Sequence, residues 1–244
     1  MAEFDNYSVD YSPGAKNILK RLLGGGFEVY VLTKVKWFLR DLFKNPLRSS
    51  ENSTRVLDYG CGTGEFLRSL ISEGFSGQIR GCDLSPGMLD TATRRWKHTH
   101  PPPFDHMPES RIPYEKDSFE IVTSSCVLHH IMPDDRPAVY DEIYSVLVPG
   151  GRLYIFEHNP FHPLTRWAVA RAPEDANAVL LKPGELERGL KGAGFRVCRI
   201  RHLLIAPPRF PGANLIDSLF GIVPIGGQYA LVAEKPRGDG IDAN

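Results

Sequence analysis

The stretch "VLDYGCGTGEF", residues 56–66, places three glycines in five positions, with an aspartate two residues ahead of the first. The run "RVLDY" before it reads as a buried strand, and "GEFLRSLISEG" after it reads as an amphipathic helix closed by Gly74. A Gly-rich turn between a strand and a helix usually presents backbone N–H groups to a phosphate. Here Asp58 and Glu65 flank the turn. At roughly 4 Å, like charges repel by about 4 kcal/mol at an effective dielectric of 20, so a pyrophosphate is a poor occupant.

Three readings compete for this turn. Gly60, Gly62 and Gly64 give G-x-G-x-G, and Glu65 stands where a dinucleotide fingerprint needs glycine or alanine. A purely structural turn explains the glycines, which permit positive φ and close strand–helix packing. It leaves unexplained a second acid, Asp83, which ends the next strand 19 residues past Gly64. The third reading is a ligand with no phosphate and some positive charge. S-adenosylmethionine has a sulfonium, an ammonium, a carboxylate and an adenosine. Asp58 would receive its ammonium, and Asp83 its ribose hydroxyls, as in other nucleoside-binding sheets.

Outward from the turn, strands and helices alternate. "QIRGCD" is a strand, "SPGMLDTATRRWKH" a helix with Ser85 as N-cap and Pro86 in its first turn, and a short strand fits Phe104–Met107. "FEIVTSS" is a strand, "DDRPAVYDEIYSVL" a helix that stops before Pro149-Gly150-Gly151, and "RLYIFEH" a strand. Residues 160–182 are mixed. "PGELERGLKGAG" is then a helix, "FRVCRIRHL" a strand and "QYALVAEKP" a last strand. Upstream, residues 13–23 read as a short helix broken by Gly24–Gly26, and Val31, Val35, Phe38 and Leu42 put an apolar stripe on a helix over 27–44. Such alternation means an α/β fold, a Rossmann-like doubly wound sheet that binds ligands beyond the carboxyl ends of its strands.

Composition narrows the classes. Lys plus Arg equal Asp plus Glu at 29 each, so no whole-protein field recruits nucleic acid. Cys61, Cys82, Cys126 and Cys198 have no zinc spacing and read as reduced thiols, which with the absence of a signal-like N-terminus suggests a cytoplasmic protein. No apolar run reaches the roughly 18 residues of a membrane span.

Four segments in order, "VLDYGCGTGEF", "GCDLSPGMLDTA", "IPYEKDSFEIVTSSCVLHHI" and "EIYSVLVPGGRLYIFEHNP", resemble the successive motifs of the class I S-adenosylmethionine-dependent methyltransferases. Within them the chain is similar to the small-molecule branch that includes ubiquinone/menaquinone-type and natural-product O-methyltransferases. The resemblance covers about residues 55–160. It implies a seven-stranded sheet, mostly parallel with one antiparallel strand, in a single domain over 1–244. Residues 1–54 would form a helical lid, 55–160 the donor-binding core, and 161–244 a C-terminal part with an apolar insertion at 203–227. It implies S-adenosyl-L-methionine as donor, S-adenosyl-L-homocysteine as product and no metal. By position, Asp58, Gly60, Cys61, Gly62 and Gly64 would line the methionine end. Asp83 would hold ribose, Leu84 and Met88 would pack on adenine, and Ser125 would meet the methionine moiety. Pro108-Glu109 departs from the family's usual Asp-Ala pair; Pro108 has no N–H to offer adenine, and Glu109 would contact it differently. In the lid, Tyr11, Tyr30 and Lys34 would close over the donor, with Lys34 reaching its carboxylate.

Methyl transfer asks the protein to align acceptor and donor and to exclude water. A hydroxyl acceptor also benefits from a base. "VLHHI" puts His129 and His130 just past the fourth strand, and "FEHNP" puts Glu157 at the end of the fifth, where a Glu–His pair would orient an imidazole. The alternative is that the histidines only position ligands or satisfy core hydrogen bonds. A metal site at Cys126, His129 and His130 lacks a spaced carboxylate or second cysteine. His158 and His162, separated by Pro160, read as loop residues, and the histidines of "HTHPPPFDH" as surface loop. The insertion 203–227 either roofs an apolar acceptor pocket or packs as a homodimer surface or core. The expectation is O-methylation of a small, partly apolar molecule. The rivals are an N- or C-methyltransferase and a non-catalytic protein that binds the donor.

Overall fold

In the computed structural model, residues 26–47, 50–98, 100–206, 208 and 210–237 are described. Tyr11 and the helix expected over 13–23 lie outside them. Helix α1 (Phe27–Lys44) precedes β1 (Arg55–Tyr59), α2 (Glu65–Ser72), β2 (Gln78–Asp83), α3 (Pro86–Arg95) and β3 (Phe104–His106). Then come β4 (Phe119–Ser125), α4 (Arg136–Val146), β5 (Leu147–His158), α5 (Pro163–Val169), α6 (Pro183–Gly192), β6 (Arg196–Leu203), α7 (Ala213–Phe220) and β7 (Gln228–Glu234). The seven strands lie in the order β3-β2-β1-β4-β5-β7-β6. β1 pairs in parallel with β2 and β4, and β4 with β5, while β7 is antiparallel to both β5 and β6.

The central strands are apolar on both faces because helices cover both. On one face Leu57, Val122, Leu153, Ile155 and Leu231 pack with Val139 and Ile143 of α4 and Leu186 and Leu190 of α6. On the other, Val56, Ile121, Tyr154 and Phe156 pack with Val31, Val35 and Phe38 of α1 and Phe66, Leu67 and Leu70 of α2. The α1 stripe read from sequence is therefore a core stripe. A polar pin holds that helix in place: the buried Asp41 accepts the Tyr154 hydroxyl at 3.0 Å and pairs with Arg199 at 2.8 Å.

Two helices depart from the sequence reading. α5 opens at Pro163, with the His162 ring accepting the Thr165 N–H at 3.2 Å as its N-cap. α7 lies inside the apolar insertion and starts after Gly212, whose φ of +87° admits no side chain without strain. The carboxylate of Asp217 on α7 accepts the N–H groups of Leu204 and Ile205, both at 2.9 Å. This staple ties the start of the insertion to α7. β5 also starts earlier than expected, at Leu147, so Pro149-Gly150-Gly151 falls inside it.

The strand order reverses between β1 and β4. Chains leaving their carboxyl ends diverge there, which leaves a crevice. Asp58, Asp83 and Ser125 all stand at that edge, and the cavities open beside it.

Candidate active site

Two cavities adjoin at the carboxyl edge of the sheet. The larger, of about 540 Å³, is within the range of roughly 300–1,000 Å³ typical of small-molecule sites. Its floor is the turn after β1. Gly60 and Gly62 both have left-handed φ, +69° and +51°. A Cβ on Gly60 would sit 2.5 Å from Cγ2 of Val127, so the turn closes only with glycine there. Gly62 has nothing within 4 Å of where its Cβ would be, so its bare backbone faces open space. Gly64 is not on the cavity wall; a Cβ there would meet Phe104 and Ala92 at 3.1 and 3.2 Å, so this glycine serves strand–helix packing.

Asp58 and Asp83 both line this cavity. Asp58 is buried, and Thr123 donates its hydroxyl to Oδ1 at 2.7 Å. Burial pushes its carboxyl up to about 7 and Asp83 adds to that, against the Thr123 hydrogen bond and the charge of Lys34. Asp83 accepts Gly62 N–H at 2.8 Å on Oδ2 and Ser85 N–H at 2.9 Å on Oδ1. Glu65, counted above against a pyrophosphate, is paired with Arg68, so its charge is already met. Leu84, Met88, Met107, Pro108 and Glu109 form the far wall, with Glu109 in a left-handed conformation at φ 53°. His106, read as surface loop, also reaches this wall and bonds the Leu84 carbonyl at 3.1 Å.

Lys34 is buried and bridges α1 to the end of β4. Its Nζ donates to Ser125 Oγ at 2.9 Å and to Cys126 Sγ at 3.1 Å. Tyr30, grouped with it from the sequence, lines the second cavity and is not among the residues lining the first. Cys126 turns the chain off β4 with φ 58°. Burial pushes its thiol up, but the Lys34 ammonium and His158 overcome this and bring it down to about 6.

The second cavity, of about 220 Å³, shares Phe27, Lys34, Cys126 and His130 with the first. Leu164, Ala168, Val169, Leu204 and Ile205 give it an apolar wall, to which the start of the insertion contributes. Its polar end is a cluster around the two histidines. His129 is buried, with Nδ1 2.6 Å from Oε2 of the buried Glu157. Glu157 Oε1 accepts the backbone N–H groups of Val127 and Leu128 at 3.2 and 2.8 Å. These contacts outweigh burial and hold the Glu157 carboxyl down at about 2. Burial pulls His129 down, but the charges of Glu157 and the Asp175 contact raise it to about 10. His130 is held down at about 4 by burial and by the neighbouring His129.

Asp175 completes the cluster and was not legible in the sequence. It lies 45 residues past His130 in a short 3-10 turn, Pro173–Asp175. Val179 N–H bonds the His129 carbonyl at 2.7 Å, and Arg136 donates to the Val179 carbonyl at 2.7 Å, which docks this segment against the histidines. His158 and His162 also line the cavity, so they are wall residues rather than remote loop.

A family model for a methyltransferase domain matches residues 56–151. The demethylmenaquinone methyltransferase of Clavibacter sepedonicus is 35% identical over 113 residues, 46% of this chain and 44% of that one. The N-demethylindolmycin N-methyltransferase of Streptomyces griseus is 30% identical over 128 residues, 51% of this chain and 53% of that one. The chain thus spans about half the length of such relatives. Among solved structures, an S-adenosylmethionine-dependent methyltransferase of Thermotoga maritima superposes with a TM-score of 0.63 at 18% identity over 95% of this chain and 98% of that one. One from Archaeoglobus fulgidus gives 0.61 at 19% identity over 86% and 95%. These two show the fold. The matched segment holds the glycine turn, both acids and the paired histidines, and over that segment the chain is similar to S-adenosylmethionine-dependent methyltransferases.

Proposed function

We propose that the protein methylates a hydroxyl of a small, partly apolar molecule, with S-adenosylmethionine in the larger cavity and the acceptor in the smaller. The observation that carries this reading is the junction of the two cavities, where Phe27, Lys34, Cys126 and His130 belong to both walls. A donor and an acceptor must meet head to tail for in-line displacement, and a shared wall is where they would meet.

The residues of the larger cavity fit the donor. Asp58 suits its ammonium, Asp83 its ribose hydroxyls, and Leu84 and Met88 its adenine. Pro108 offers adenine no N–H, and the Glu109 carboxylate, an acceptor, would instead take the adenine amino group. Gly60, Cys61 and Gly62 let the methionine end lie against backbone, and Lys34 with Ser125 would face its carboxylate. When bound, the donor supplies an electrophilic methyl group on sulfur. The chain holds both partners and keeps water out, which the apolar wall of the second cavity favours. The acceptor's reacting oxygen would rest at the polar end, against His130 and the cluster behind it. Glu157 acts through His129 by fixing its ring, and so is a positioning residue. The carboxylates Glu174 and Asp175 on the same wall favour a second reading, an amine acceptor.

Purified protein with methyl-labelled donor and a panel of small phenols, alcohols and amines tests this. Label recovered in an ether is the expected result. Label recovered only in amines replaces the hydroxyl reading with the amine one. Saturable donor binding with no transfer to any acceptor of the panel, or of a host extract, would leave a binding protein.

A further inference from the structure

His129, His130 and Asp175 together form a set that no single segment of sequence contains. One atom from each lies within 4.8 Å of the others. Asp175 Oδ1 is 3.5 Å from His129 Nε2 and 3.6 Å from His130 Nε2. Both separations exceed the roughly 2.7–3.2 Å of a good N–H···O hydrogen bond. They lie near the edge, about 3.4 Å, of a tetrahedron of ligand atoms with bonds of about 2.1 Å to a central ion.

The surroundings match a metal centre in two further respects. A ligating histidine almost always gives its other ring N–H to a carboxylate, and Glu157 Oε2 takes His129 Nδ1 at 2.6 Å. That bond fixes the ring with Nε2 directed at Asp175. Charge gives the second. The carboxylates of Glu157 and Asp175 approach His129 at its two ring nitrogens, and a dication that displaces the proton from Nε2 would balance both negative charges. The carboxylate that Cys126, His129 and His130 lacked as a sequence motif is thus supplied by Asp175.

We propose that His129 Nε2, His130 Nε2 and Asp175 Oδ1 bind a divalent transition-metal ion, of the zinc, cobalt or manganese class, at the polar end of the acceptor cavity. Three protein ligands leave at least one coordination position open, as catalytic rather than structural sites do. All three residues line the acceptor cavity, so the open position faces the acceptor. The substrate class this selects carries an acidic oxygen able to ligate the ion, such as a phenol or an enol. The binding site stands on its own geometry; only its role toward the acceptor rests on the methyl-transfer reading.

Co²⁺ titrated into the full chain after chelator treatment tests the site without any activity measurement. The expected result is one equivalent bound, with visible ligand-field bands of four- or five-coordinate Co²⁺, displaced by Zn²⁺. Asp175→Asn and His130→Ala, on the cavity wall, should each weaken binding at least about 100-fold, and Glu157→Gln about 10- to 100-fold. A cooperative thermal unfolding transition like the parent's shows each variant is folded; a variant that fails this is replaced by His130→Gln or Asp175→Ser. No saturable binding to the parent chain overturns the proposal. So does binding that Asp175→Asn and His130→Ala leave unchanged, since the ion would then sit elsewhere. Metal binding with no methyl transfer to any acceptor would leave the site standing and remove the functional reading instead.

Discussion

Asp58 is a carboxylate taken out of water at the floor of a cavity, and its ionisation is what a cationic ligand would draw on. Its carboxyl is pushed up to about 7, chiefly by burial. Below that pH the group is neutral and offers an ammonium little; above it the group is an anion. Donor binding should therefore tighten as pH rises from 6 to 8, and donor uptake near neutrality should release a proton. Asp58→Asn, nearly the same shape without the charge, should bind more weakly at pH 8 and lose that pH dependence. Calorimetry across the range checks both, and an identical slope in the variant would mean another group is titrating. Asp83 calls for a different test, because its oxygens also hold Gly62 and Ser85 N–H groups. Asp83→Ala should weaken donor binding at least about tenfold, on the scale of one charge-assisted hydrogen bond. The decisive comparison uses a donor analogue without ribose hydroxyls. The parent chain should discriminate against it, and the variant should not. If both discriminate equally, Asp83 supports only the loop.

At the scale of elements, the Asp217 staple makes a prediction of its own. Two backbone N–H groups, of Leu204 and Ile205, end on that one carboxylate, and Leu204 is held at φ 60°. Asp217→Ala leaves both half-buried donors without their acceptor and should cost about 1–3 kcal/mol of stability. Because Leu204 and Ile205 line the smaller cavity, where the acceptor is proposed to bind, it should also raise the acceptor KM with little effect on donor affinity. Chemical denaturation and initial-rate kinetics separate these, and a variant with unchanged KM would mean the roof is not held this way. The staple also shows what the sequence could and could not disclose. Strands β1, β2 and β4, helix α1 and the Ser85 cap were legible, since period and capping are local properties. Helix α7 was hidden because prolines and glycines crowd its flanks. Asp175 was hidden for a stronger reason: nothing local in "APEDAN" marks it, and its place is set by Val179 and Arg136 contacts made across the fold. The two histidines were legible as a pair. Their unequal environments were not, because Glu157 and Asp175 reach His129 from separate segments.

Across the whole molecule, the sheet divides the labour between its two halves. β1 and β2 hold the acids and glycines of the larger cavity, while β4, β5 and β7 with α5 and the insertion form the smaller one. Lys34 of α1 spans the junction, and α1 is anchored through Asp41 to Tyr154 and Arg199, so this helix is part of the core. A ligand that fits the larger cavity should then stabilise the entire fold, not one loop. At a free concentration 100-fold above its Kd, such a ligand adds about 2.7 kcal/mol. For a chain of this size that corresponds to a rise of about 5–10 °C in Tm. S-adenosylmethionine and S-adenosylhomocysteine should both produce it at concentrations set by their Kd values. A pyridine dinucleotide at the same concentration should leave Tm unchanged, because its pyrophosphate would face Asp58 and Asp83 with Arg68 already committed to Glu65. Differential scanning calorimetry with the three ligands decides the matter. Equal stabilisation by the dinucleotide would show that the acids at the strand ends do not select for positive charge.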